Sequence, residues 1–115
     1  MSRAHADAEI LAGVETFARE VLAPKAAEID ETAVFAGLHL PALAEMGLMG
    51  LNLPAEHGGL GVDAWTLFEA IAAVAGACGS TASMVTAHWL ATDSILHGGS
   101  PEQKAAWLPR AASGE

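Results

Sequence analysis

Apolar residues fall at helical spacing over most of the chain. Ile10, Leu11, Val14, Phe17, Ala18, Val21 and Leu22 form one stripe, and Glu9, Glu15, Arg19 and Glu20 lie mostly off it. This predicts an amphipathic helix that Pro24 interrupts. The following "KAAEID" can resume it after a kink, and Asp30, Glu31 and Thr32 read as its exposed end. A second helix is predicted over residues 37–46, with Pro41 near its first turn and Gly47 as a left-handed cap. "LMGLNLP" then reads as an apolar connector leading into a loop of Pro54 and glycines.

Asp63 is a good N-cap for a third helix over residues 64–78. That segment is apolar nearly all round, with Glu69 its only charge, which predicts a central helix surrounded by others. Gly79 and Ser80 are expected to break the run. Ser80 or Thr81 then caps a fourth helix reaching about Leu96, closed by "HGGS". Ser100, Pro101 and Gln103 combine an N-cap, a first-turn proline and a capping-box partner, so a fifth helix runs to about Ala112. The sum is an all-α domain of about five helices, orthogonal or bundle-like. An Ala- and Leu-rich composition without tyrosine agrees, because strands favour β-branched and aromatic runs. At 115 residues one domain with a real core is expected.

Charge narrows the functions available. The formal net charge is −9, and the basic residues are Arg3, Arg19, Lys25, Lys104 and Arg110. They form no cluster, which argues against nucleic acid and against an anionic membrane surface. A phosphate-rich ligand would find its cationic partners mostly elsewhere. Cys78 stands alone, so no intrachain disulfide forms, and its neighbours Gly76, Ala77 and Gly79 offer nothing to stabilise a thiolate. A buried structural thiol and a reducing, cytoplasmic location are the expectation. "MSRAHADAEI" lacks the apolar core of a signal peptide, and "AIAAVAGACG" is far short of a membrane span.

Candidate chemistry is sparse. "LPAEHGGLGVD", residues 53–63, places glycines ahead of a helix, where they can cradle phosphate or merely turn the chain. A phosphate loop needs Lys-Ser/Thr after its glycines, and a dinucleotide fingerprint needs a preceding strand. Asp63 also puts negative charge where an anion would sit. A tight helix-to-helix turn is the better account.

The histidines are His5, His39, His57, His88 and His97. Asp93 and His97 share a helix face at i, i+4, but no third metal ligand is placed. His88 either lines a pocket or is a satisfied core histidine. No nucleophile elbow occurs, and Glu28, Asp30 and Glu31 look like a solvated helix end. Thr81, Ser83 and Thr86 interrupt the fourth helix alongside Ala82, Met84 and Ala87. Such alternation suits either a wall for a flexible apolar ligand or close helix packing.

Three stretches, "FAREVLAPKAAEIDE" at 17–31, "LAEMGLMGLNLPAEHGGLGVD" at 43–63 and "HGGSPEQKAAWLPRAASGE" at 97–115, resemble the N-terminal helical domain of acyl-CoA dehydrogenases. "LPAEHGGLG" and "GSPEQKAAWLPRAASGE" are the most specific parts, and the resemblance runs from about Ile10 to Glu115. It implies a three-part FAD enzyme: this domain, a middle β-domain and a C-terminal four-helix bundle, the last two absent from these 115 residues. The implied reaction is α,β-dehydrogenation of an acyl-CoA thioester. A carboxylate takes the α-proton, hydride leaves the β-carbon for flavin, and electrons pass to an electron-transferring flavoprotein. Acyl-CoA oxidases and flavin monooxygenases of the superfamily share the domain and are an alternative. A non-enzymatic helical interaction module is another.

The family's flavin-contacting stretch and catalytic glutamate lie in the other domains. No catalytic, cofactor-binding or metal-binding residue is therefore carried over, and these residues alone are expected to be inactive and colourless. What carries over is one wall of the acyl pocket, on Ala82, Ser83, Thr86 and Leu90. Apolar surface left where other domains dock predicts self-association, by helix exchange between chains, and a homo-oligomer for the whole protein.

Overall fold

The computed structural model describes residues 2–115, and among them every regular element is helical. They divide into two compact units. One holds the chain up to His39 together with Asp63–Met84, and the other holds Leu40–Val62 and Val85–Glu115.

In the first unit, helix α1 spans Arg3–Phe17 and α2 spans Ala23–Thr32. The helix starts seven residues before Ile10, where the apolar stripe begins, because the Ser2 hydroxyl accepts from the His5 N–H at 3.3 Å and caps it. Pro24 lacks an N–H, and its ring would strike the Glu20 carbonyl in a regular helix. The chain answers with one widened π turn over Ala18–Leu22, closed by the Ala23 N–H on the Ala18 carbonyl. The helix resumes as expected, and α2 ends at Ala33 with φ of 54°. Of the predicted stripe, Val14, Ala18 and Leu22 are fully buried and Val21 is exposed.

Helix α4 covers Ala64–Ala77 and packs on α1. Asp63 caps it as expected, accepting from the Thr66 N–H at 2.7 Å. The buried carboxylate of Asp7 accepts the Asp63 N–H at 3.1 Å and so ties α1 to the start of α4. The expectation that this helix is enclosed on all sides is corrected. Thr66, Ala70 and Val74 are buried, but Trp65 is 70% and Phe68 61% exposed, with ring centroids 6.2 Å apart. An Ala-rich helix is apolar on faces that are not buried, so composition overstates its enclosure.

Helix α5 runs continuously over Gly79–Gly98. The break before it falls at Cys78, which is extended at φ −154° and ψ 105°, so Gly79 and Ser80 lie inside the helix. Cys78 is buried, and its sulfur accepts from the Thr81 hydroxyl.

A 3-10 turn over Ala36–His39 belongs to the first unit, and in the second α3 covers only Leu40–Glu45, with Pro41 at its second position. The expected single helix over 37–46 is thus split, because Pro41 cannot donate and crowds the carbonyl four residues earlier. Gly47 caps α3 with φ of 78°. The connector is the core of this unit: Leu48, Met49, Gly50, Leu51 and Leu53 are all buried. Helix α6 spans Pro101–Ser113, with the complete Ser100–Gln103 capping box in place. Its Leu108 and Ala112 bury with Leu53, and Ile95 and Leu96 of α5 pack against them.

Candidate functional site

The glycine loop is a folded turn whose amides are already engaged. Gly58 N–H bonds the Ala55 carbonyl, Gly59 the Pro54 carbonyl, Leu60 the Gly50 carbonyl and Gly61 the Leu53 carbonyl, all within 3.1 Å. Gly58 and Gly61 take positive φ values of 85° and 57°. A Cβ on Gly59 would collide with the Leu53 carbonyl. The glycines serve close backbone approach, and the donors a phosphate needs are turned inward. Asp63 follows, its carboxyl held below the ordinary carboxylate value mainly by the Thr66 N–H, then by the Thr66 hydroxyl and, more weakly, by Arg3. The loop therefore does not fit the pyrophosphate of a flavin dinucleotide.

The histidines separate into different roles. His88 is half-buried, and its Nε2–H donates to the Met49 carbonyl at 3.0 Å. It also borders a groove of about 270 Å³ in the second unit, lined by Thr92, Ile95, Trp107 and Arg110. His88 is thus a satisfied histidine at the edge of the core. The Asp93 carboxylate accepts from Asn52 at 2.8 Å, while His97 stays exposed. Among the described residues no group of three or more His, Cys, Asp or Glu is placed to hold a metal ion. His39 is buried without a partner on Nε2, and burial, then the charge of Lys25, pushes its pKa down.

Of the four residues carried over for the acyl wall, Ala82 is buried at 7% exposure within the first unit. Ser83, Thr86 and Leu90 lie on the exposed side of α5, Leu90 at 70%. Their spacing of i, i+3, i+7 places them in one stripe of a continuous helix. Ala87, Ala91 and Ser94 extend that exposed side. The i+4 and i+8 spacing from Ser83 reaches Ala87 and Ala91, and that spacing is the sequence signal for them. The opposite side of α5 carries the buried Thr81, Val85, Trp89 and Thr92. Trp89 Nε1–H donates to the Leu48 carbonyl at 2.9 Å. Among the described residues no helix is long and apolar enough to cross a membrane.

These features define an all-α domain with one small-residue helix face turned outward and no phosphate cradle in its glycine loop. Residues 5–115 match the family model described as acyl-CoA dehydrogenase, N-terminal domain. The chain belongs to the acyl-CoA dehydrogenase family and corresponds to its N-terminal domain. It is 37% identical over 102 residues to the probable acyl-CoA dehydrogenase YngJ of Bacillus subtilis, covering 88% of this chain and 27% of that protein. Among solved structures it is similar to one described as the electron transferring flavoprotein of Acidaminococcus fermentans. The TM-score is 0.85 and the identity 27%, over 94% of this chain and 29% of that one. Butyryl-CoA dehydrogenase from Megasphaera elsdenii shares the fold, with a TM-score of 0.84 at 22% identity over 94% of this chain and 29% of that one. The chain thus spans 27–29% of the length of these proteins.

Proposed function

We propose that the whole protein is an FAD-dependent acyl-CoA dehydrogenase that oxidises the α,β bond of an acyl-CoA thioester. This chain would supply one wall of the acyl pocket. The observation that carries the reading is the outward stripe of Ser83, Thr86 and Leu90 on α5, in a chain of this family. Short side chains with an apolar neighbour suit a methylene chain, which needs contact area and few polar groups. Ala82, buried at the flank of the stripe, would contribute to the wall through the packing of α5.

The flavin and the catalytic base belong to the remaining parts, a middle β-domain and a C-terminal four-helix bundle. The engaged amides of the glycine loop and the Asp63 carboxylate leave no dinucleotide cradle in that loop. Electrons would pass on to an electron-transferring flavoprotein, a reading supported by the structural neighbour that is itself described as one. The whole protein is proposed to be a cytoplasmic homo-oligomer.

The test is Thr86→Trp in the whole protein. A bulky ring in the wall should shift preference toward shorter acyl-CoA chains, read as kcat/KM across a chain-length series. An unchanged preference would remove Thr86 from the wall.

A further inference from the structure

We propose that Asn52 is a positioning residue that sets how the α5 face carrying Thr86 and Leu90 is presented, and so tunes acyl-chain selectivity. This rests on the reading of that face as the acyl wall.

Three acceptors of α5 converge on one amide. Asn52 Nδ2 lies 2.8 Å from Asp93 Oδ1, 3.0 Å from Thr92 Oγ1 and 3.4 Å from the Trp89 carbonyl. The Thr92 hydroxyl itself donates to the Trp89 carbonyl at 3.1 Å, which leaves its lone pair for Asn52. A flipped amide would set Oδ1 against a carbonyl and a carboxylate, so the surroundings dictate its orientation. Oδ1 is buried and makes no hydrogen bond among the described residues. The amide is thus engaged only through its donor end, and that end faces α5.

The base of this pin is fixed. Leu51 and Leu53, on either side of Asn52, are both 0% exposed. A side chain rooted between two fully buried residues in a close-packed interior has little freedom to follow a moving helix. The contacted residues, Trp89, Thr92 and Asp93, belong to the turn that carries Leu90 and to the next one, Trp89 and Thr92 on the buried side away from Leu90, and Thr86 lies one turn earlier. Rotation of α5 about its axis would break the Asn52 bonds and swing Leu90 by the same angle. Misplacement of a positioning side chain by about 1 Å is enough to change turnover strongly.

The test uses the whole protein and the ratio of kcat/KM for a short and a long straight-chain acyl-CoA. Asn52→Asp keeps the shape but turns the donor into an acceptor facing a carbonyl and the Asp93 carboxylate. It should change the ratio by about threefold or more, and Asn52→Asp with Asp93→Asn, which restores a donor–acceptor pair, should return it toward the original. Ser100→Ala, which weakens the α6 cap without touching α5's bonds to Asn52, should lower stability and leave the ratio alone. If Asn52→Asp does not accumulate as folded protein, Asp93→Ala removes the shortest of the three bonds and carries the same expectation. An unchanged ratio in the Asn52 or Asp93 variants, or an equal change in Ser100→Ala, overturns the positioning role. Failure of the unsubstituted protein to oxidise any acyl-CoA instead overturns the functional reading, and the selectivity role with it.

Discussion

The indole Nε1–H of Trp89 donates to the carbonyl of Leu48 at 2.9 Å, and both residues are buried. The bond fastens the middle of α5 to the connector that forms the core of the second unit. Trp89→Phe keeps an aromatic ring but leaves the Leu48 carbonyl with only the longer bond from the Leu51 N–H, at 3.4 Å. Loss of one such hydrogen bond costs about 0.5–1.5 kcal/mol. Urea unfolding should therefore show a lower midpoint with an unchanged slope, and a midpoint equal to that of the parent would show the bond to be dispensable.

Gly59 is fixed by approach and not by a left-handed φ. Its Cβ position lies on the Leu53 carbonyl, within a loop whose four successive amides, 58–61, bond backward to carbonyls of the same segment. Gly59→Ala should destabilise by about 1–3 kcal/mol or prevent folding, because backbone and not a pliable side chain must yield. Full stability of the alanine variant, measured by thermal unfolding, would mean that the loop opens easily.

Two groups make stability fall with acid, at different pH. His39 is buried neutral, its pKa lowered by burial and then by Lys25, from an ordinary value of 6.5. The unfolded chain binds the proton more readily, so stability declines as pH drops through 6.5 and on toward the lowered folded value. His39→Leu should flatten that decline below pH 6.5. Asp63 behaves as a stabilised carboxylate: its contribution is complete above 3.8 and is lost as pH falls through its lowered folded value. Asp63→Ala should remove that lower step, whereas Asp63→Asn, which still caps the helix, should retain the cap at acid pH. Parallel pH profiles for parent and variants would contradict both assignments.

Trp65 and Phe68 leave an aromatic pair on the outside of α4 at 70% and 61% exposure. The 115-residue chain alone should self-associate through such surface. Trp65→Glu with Phe68→Ser should shift its light-scattering mass toward the monomer. A parent chain that is cleanly monomeric at high concentration would argue against association.

What can be read from sequence is local. Ser100, Pro101 and Gln103 sit within one turn and state their capping box outright, and Asp63 and Gly47 are equally plain. The start of α1 escapes such reading because Ser2 precedes an Ala-rich turn with no apolar stripe to mark it. Pro24 announces an interruption but not its form, a single widened turn. Propensity points to Gly79 for the break that falls at Cys78, since the extended backbone at Cys78 is a tertiary outcome. Helical spacing is enough to group Ser83, Thr86 and Leu90, but not to say that Ala82 faces inward. Asn52 is legible only as a polar residue in an apolar connector. Its acceptors lie 37–41 positions away, and only the folded chain brings them together.

We propose above that this chain is the wall-forming helical domain of a flavin enzyme that oxidises acyl-CoA. Anaerobic titration of the purified whole protein with acyl-CoA thioesters of graded length tests it most directly. Bleaching of the oxidised flavin band by a subset of chain lengths is expected, with a shifted subset when Thr86 is replaced by Trp. A flavin that no acyl-CoA reduces, or tight flavin binding by the 115-residue chain alone, would contradict it.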